Sequence, residues 1–213
     1  MRALYLHGFA SGPRSYKGVR LEALFATRGV QLERLDLRRP SLEELSFAAM
    51  EAEVVRALDS TGASIVMGSS LGGLTAARVA ERDARIERLV LLAPAFQLAA
   101  RWRERMGDEA WARWTAPGGQ LTIDDYAERR PTTVHGAFAR EMAARDATDG
   151  GWPVVRVPTL ILHGRGDDTV DIAVSREFAR RTPGARLVEL DDGHELTASV
   201  ERIFDEACAF LAV

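Results

Sequence analysis

One serine, four histidines and a few aspartates are the nucleophile, base and acid candidates of this chain. Ser70 stands in Gly68-Ser69-Ser70-Leu71-Gly72-Gly73, a G-x-S-x-G run with a short apolar stretch before it and a helical pattern after it. In that context the serine occupies a tight strand-to-helix turn that lifts its hydroxyl above the sheet. Side chains two positions before and after it would collide, which is why Gly68 and Gly72 are needed. A serine hydroxyl attacks only when a base removes its proton. The histidines are His7, His135, His163 and His194. His194 is the expected base, because it follows the last apolar run in Asp191-Asp192-Gly193-His194. His7 and His163 each end an apolar run and precede a glycine, which points to loop shaping, and His135 has no evident partner. An imidazole base needs an acid to hold its tautomer and stabilise its charge. Asp167 in His163-Gly164-Arg165-Gly166-Asp167-Asp168 is the first choice, with Asp168 as the competitor.

Acyl chemistry at Ser70 also needs two backbone N–H groups aimed at the developing oxyanion, each worth roughly 10²–10³ in rate. One is expected from Leu71, just after the nucleophile. The other is expected from the loop His7-Gly8-Phe9-Ala10-Ser11-Gly12-Pro13, with Phe9 the first choice of donor and Ala10 the next. Such a loop also reads as an ordinary Gly/Ser/Pro turn.

Short apolar runs must carry these loops. They lie at Ala3–Leu6, Leu32–Leu37, Ser64–Met67, Leu89–Leu92, Thr159–Leu162 and Leu187–Leu190. Near-continuous hydrophobes alternating with amphipathic stretches predict an α/β fold, a parallel sheet with helices on both faces. A capping box at Ser41 and Glu44 predicts a helix running to about Asp59. Others are predicted from near Leu71 and over Asp171–Arg181, and a last one carries the stripe Leu196, Val200, Ile203, Phe204, Ala207 and Leu211. Residues 96–155 break the rhythm and hold all four tryptophans. They predict a mostly helical insertion within a single domain spanning residues 1–213. Trp111 and Trp114 are candidates for a lid or pocket wall, against the alternative that the tryptophans are core.

Composition narrows the rest. With 46% hydrophobic and 28% charged residues, 213 residues form one globular domain. A net charge of −3 leaves no footprint for nucleic acid or an anionic membrane. No apolar run is long enough to span a bilayer, and a glycine-rich loop follows Met1 too early for a signal peptide. The one cysteine, Cys208, excludes a disulfide framework and a cysteine-rich metal site. A cytoplasmic protein is expected, with oligomeric state left open. The basic residues are all arginine except Lys17, which is expected at the exposed start of the first helix.

The chain resembles the α/β-hydrolase superfamily, and within it the YqiA-like small bacterial esterases. The resemblance rests on Leu4-Tyr5-Leu6-His7-Gly8-Phe9, Ser11-Gly12-Pro13-Arg14-Ser15-Tyr16-Lys17, the Gly68–Gly73 run, Gly166-Asp167-Asp168-Thr169-Val170-Asp171 and Gly193-His194. It implies a compact hydrolase fold of about six mostly parallel strands and a Ser70–Asp167–His194 triad. It also implies hydrolysis of small carboxylic esters, preferably short-chain, without a cofactor or metal. The tryptophan-rich insertion departs from the subgroup and leaves the substrate open. The same triad serves thioester or carbon–carbon bond hydrolysis, and an idle hydrolase fold serves small-molecule binding.

Overall fold

A computed structural model describes residues 1–213. In chain order the elements are β1 (Arg2–Leu6), α1 (Tyr16–Ala26), β2 (Gln31–Leu35), α2 (Phe47–Thr61), β3 (Ile65–Ser69), α3 (Leu71–Ala80) and β4 (Arg88–Leu92). Next come α4 (Leu98–Met106), α5 (Asp108–Thr115), β5 (Gln120–Asp125), β6 (Arg130–His135) and α6 (Gly136–Asp149). β7 (Thr159–Gly164), α7 (Ile172–Arg181), β8 (Ala185–Leu190) and α8 (Val200–Leu211) complete the chain.

Six strands form one sheet in the order β2-β1-β3-β4-β7-β8, and every pairing is parallel. Alternation along each strand feeds two cores. Ala3 and Tyr5 face the layer of Leu21, Phe25, Ile203 and Phe204 from α1 and α8. Leu4 and Leu6 face the larger layer of Met50, Val54, Leu74 and Ala77 from α2 and α3. Burial on both faces is why these strands read as unbroken hydrophobes. After β1 the chain turns to β2 on one side, and after β3 it turns to β4 on the other. The carboxyl ends of β1 and β3 therefore flank a switch point, where open α/β sheets place their ligands. No helix is long and apolar enough to cross a membrane.

The structure corrects three expectations and adds a hairpin to the mostly helical insertion. Helix α2 begins at Phe47, not at the Ser41 capping box. Ser46 caps it by accepting the Ala49 N–H, and Glu141 of α6 takes the Phe47 and Ala48 N–H groups. The final helix begins at Val200, because Leu196 has a left-handed φ of 51°. Between α5 and α6 the insertion contains an antiparallel hairpin, β5–β6, in place of further helix. Lys17 is buried, 7% exposed, on the inward face of α1.

Candidate active site

Ser70 sits where β3 becomes α3, with φ 53° and ψ −114°. That conformation is strained for a side-chain-bearing residue, by roughly 1–3 kcal/mol. The surroundings hold it there. The Ser70 N–H donates to the Leu92 carbonyl (2.9 Å), and the Ser70 carbonyl accepts from Gly73 (3.0 Å), Leu74 and Ala95 (both 3.1 Å). A Cβ at Gly68 would lie 2.3 Å from the Gly72 carbonyl oxygen, and one at Gly72 would lie 2.3 Å from that of Leu6. Both glycines are thus demanded by close backbone approach.

His194 follows β8 and meets Ser70 and Asp167 at once. Its Nε2 lies 3.1 Å from Ser70 Oγ, and its Nδ1 lies 2.7 Å from Asp167 Oδ2. An ionised carboxylate only accepts, so Nδ1 carries the proton and the Nε2 lone pair faces the serine hydroxyl. Asp167 follows β7 with its side chain fully buried. Its Oδ1 accepts the N–H groups of Thr169 (2.9 Å) and Val170 (2.7 Å). Its Oδ2 is shared between His194 and His163 Nε2, the latter at 3.0 Å. Burial alone would raise the Asp167 pKa. The hydrogen bonds from His163, His194 and Val170 outweigh it and hold the carboxyl well below the usual range. Asp168, the competing acid, is exposed and only accepts the Thr169 hydroxyl.

The remaining histidines act on loops. Fully buried His163 holds the Val170 carbonyl (2.8 Å) as well as Asp167 with Nε2, so that nitrogen bears the proton and Nδ1 accepts from the Ser175 hydroxyl (2.7 Å). Its grip on the acid went beyond the loop-shaping reading. The available signal was the His-Gly pair four residues ahead of Asp167. His7 donates from Nδ1 to the Gly8 carbonyl (2.9 Å) and accepts the Leu37 N–H on Nε2 (3.1 Å), fixing the loop after β1 to the end of β2. His135 ends β6 and lends its backbone N–H to the Glu43 carbonyl (2.9 Å).

The loop after β1 lies against the elbow, since a Cβ at Gly8 would be 3.4 Å from Ser70 Cβ. The Phe9 N–H has no acceptor in the protein. Leu71 occupies the first position of α3, where an N–H has no intrahelical acceptor. Beside them is a cavity of about 10 Å³, bounded by Phe9, Leu42, Leu45, Met50 and Leu71. That is room for about one water.

Of the two tryptophans expected at a pocket, Trp114 is 1% exposed and donates its indole N–H to the Val134 carbonyl (3.0 Å). It is core of the insertion, a correction that follows from its central place between Trp102 and Trp111. Trp111 is half-buried and packs edge-on against Trp114. The tryptophan that meets the loop after β1 is Trp102, T-shaped on Phe9 at 5.3 Å. Lys17 is a further residue whose place sequence reasoning missed. Burial pushes its ammonium pKa down, against the pull of the Glu195, Asp167 and Asp192 carboxylates.

The chain matches, over residues 2–212, the model of a family described as Uncharacterised protein family UPF0227. No curated protein matches it. Among solved structures it is similar to Est1E from Butyrivibrio proteoclasticus with ferulic acid bound (TM-score 0.80, 18% identity, 100% of this chain and 90% of that one). It is also similar to α/β hydrolase domain-containing protein 10 from mouse (TM-score 0.80, 19% identity, 99% and 89%). A third is the monoacylglycerol lipase of Paleococcus ferrophilus (TM-score 0.75, 17% identity, 99% and 93%). At these identities the likeness establishes the α/β-hydrolase fold.

Proposed function

Because the chain belongs to the UPF0227 family and folds as an α/β hydrolase, we propose that it is a serine hydrolase of short-chain carboxylic esters. One observation carries the reading: Ser70 Oγ, His194 and Asp167 stand in line at 3.1 and 2.7 Å on a strained elbow. His194 Nε2 takes the proton as Ser70 Oγ attacks the ester carbonyl. The N–H groups of Leu71 and Phe9 receive the oxyanion. Asp167 stays ionised and stabilises the imidazolium. His194 then protonates the departing alcohol, leaving an acyl-serine. Water, deprotonated by His194, attacks that carbonyl; the acid leaves and Ser70 recovers its proton.

The small cavity beside Phe9 and Leu71 supports the short chain. Any acyl chain beyond acetyl has to displace Leu42, Leu45 or Met50, and the cost grows with its length. Helix α4 of the insertion forms the roof, with Trp102 on the loop after β1.

The test is turnover of p-nitrophenyl acetate, butyrate and octanoate. Wild type should cleave butyrate faster than octanoate, and Ser70→Ala should lose on the order of 10⁴–10⁶ in kcat. Equal rates for wild type and Ser70→Ala on all three esters would overturn the reading.

A further inference from the structure

Arg101 of α4 places an unpaired guanidinium beside the triad. Its Nη2 donates to the Thr169 carbonyl oxygen. Thr169 is itself tied to Asp167, its N–H lying 2.9 Å from Oδ1. The other nitrogen, Nη1, is buried and has no hydrogen-bond partner. The one other buried side-chain nitrogen in that condition, Arg34 Nε, has Glu22 Oε2 at 2.9 Å. Arg101 forms no ion pair. The neighbouring carboxylates are committed elsewhere: Asp167 to His163, His194, Thr169 and Val170, and Asp171 to the Ala173 N–H at 2.8 Å.

A guanidinium cannot escape burial by losing its proton. The Asp167 and Asp171 carboxylates supply charge nearby, yet a buried N–H left without an acceptor is costly. The arrangement therefore lacks one acceptor, which an arriving oxygen would supply. The residue is half-buried, so it stands at the rim of the site and not in the core. The guanidinium is planar and rigid, so turning Nη1 outward exchanges the Nη2–Thr169 bond for one to the arriving group. Its chain neighbour Trp102 rests on Phe9, so α4 spans the site from the acid loop to the oxyanion loop.

We propose that Arg101 binds a carboxylate on the substrate, so that the preferred esters carry a free carboxylate a few carbons from the scissile carbonyl. The planar guanidinium edge suits a carboxylate's two oxygens. The reaction assumed at Ser70 is the one proposed above, but the binding site is testable apart from it.

The probe is monomethyl succinate, compared with methyl butyrate, which has the same acyl length and no charge. Calorimetric titration into Ser70→Ala protein should show the succinate ester binding at least tenfold more tightly. Adding Arg101→Gln should erase that difference, and Arg101→Lys should restore part of it. If Arg101 only pins α4 to the acid loop, both substitutions change the melting temperature and leave the binding ratio alone, which overturns the proposal. Equal binding of the two esters to Ser70→Ala overturns it as well. Should the glutamine variant fold poorly, the lysine variant reads the same ratio. With Ser70 intact, p-nitrophenyl hemisuccinate and butyrate separate the two readings. Binding that depends on Arg101 without turnover sinks the hydrolase and keeps the site. Turnover of both esters at one rate, indifferent to Arg101, does the reverse.

Discussion

The carboxyl edge of the sheet and the insertion over it are held by different means. At the sheet edge, Ser70 and Asp167 are each held by several short hydrogen bonds. Ser70 is fixed through its own N–H and carbonyl, and Asp167 accepts two backbone N–H groups and two histidine rings. The insertion is fastened mainly by side chains. Phe138 stacks between Phe9 and Phe47, and Arg38 pairs with Asp125 while Arg78 pairs with Asp149. Backbone bonds of the first kind tolerate almost no displacement. Ring contacts are softer and individually weaker, and the two ion pairs are partly buried.

Substitutions sharpen that contrast. The largest effect expected is at the acid: Asp167→Asn should lower kcat about 10⁴-fold, while Asp168→Asn stays within about threefold by its exposure. Steady-state kinetics on one ester ranks them, and the reverse order would move the acid to Asp168. In the insertion, Trp114→Ala should cost about 3–5 kcal/mol of stability in urea unfolding. The surviving fold should keep its triad chemistry. At the elbow, Gly68→Ala should cost about 1–3 kcal/mol or more and also cut kcat, because the Cβ meets backbone that cannot yield.

A pH series tests the buried acid. The depressed Asp167 pKa means that its charge stabilises the fold above the unfolded value of about 4. That contribution fades as pH falls through the lower native value. Between about pH 4 and pH 2, wild type should lose more stability than Asp167→Asn, read as the change in urea midpoint. The smallest effect belongs to the acyl wall. Met50→Ala should shift the butyrate-to-octanoate ratio by roughly tenfold toward octanoate, the order a hydrophobic pocket earns per chain increment. An unchanged ratio would place the acyl chain elsewhere.

Most of the sheet was readable in advance because its strands are buried on both faces, which forces a hydrophobe at nearly every position. The serine elbow was readable because the G-x-S-x-G spacing marks a tight strand-to-helix turn, although the backbone that keeps Gly72 bare belongs to distant β1. The capping box at Ser41 misled because residues 41–45 are claimed by a distant hairpin. The Glu43 carboxylate accepts the Thr132 hydroxyl (2.6 Å), and its carbonyl accepts the His135 N–H (2.9 Å). The hairpin itself has half-buried strands that alternate polar and apolar residues and so lacks the continuous hydrophobic run that announces the others. Trp114 looked like pocket lining because a tryptophan's type does not say whether its neighbours will cover it.

The sequence by itself determined the alternating α/β order, the place of the nucleophile and the loops that present its partners. Those signals are local, set by periodicity and by a short motif with a strand before it and a helix after it. Only the tertiary structure set Asp167 apart from Asp168, because adjacent residues differ there by which one turns inward to two histidines. It alone buried Lys17, moved the start of α2 and set Arg101 over the acid loop with one buried nitrogen unpartnered. Each of those outcomes depends on what a distant segment brings to the same point in space, which no local pattern records.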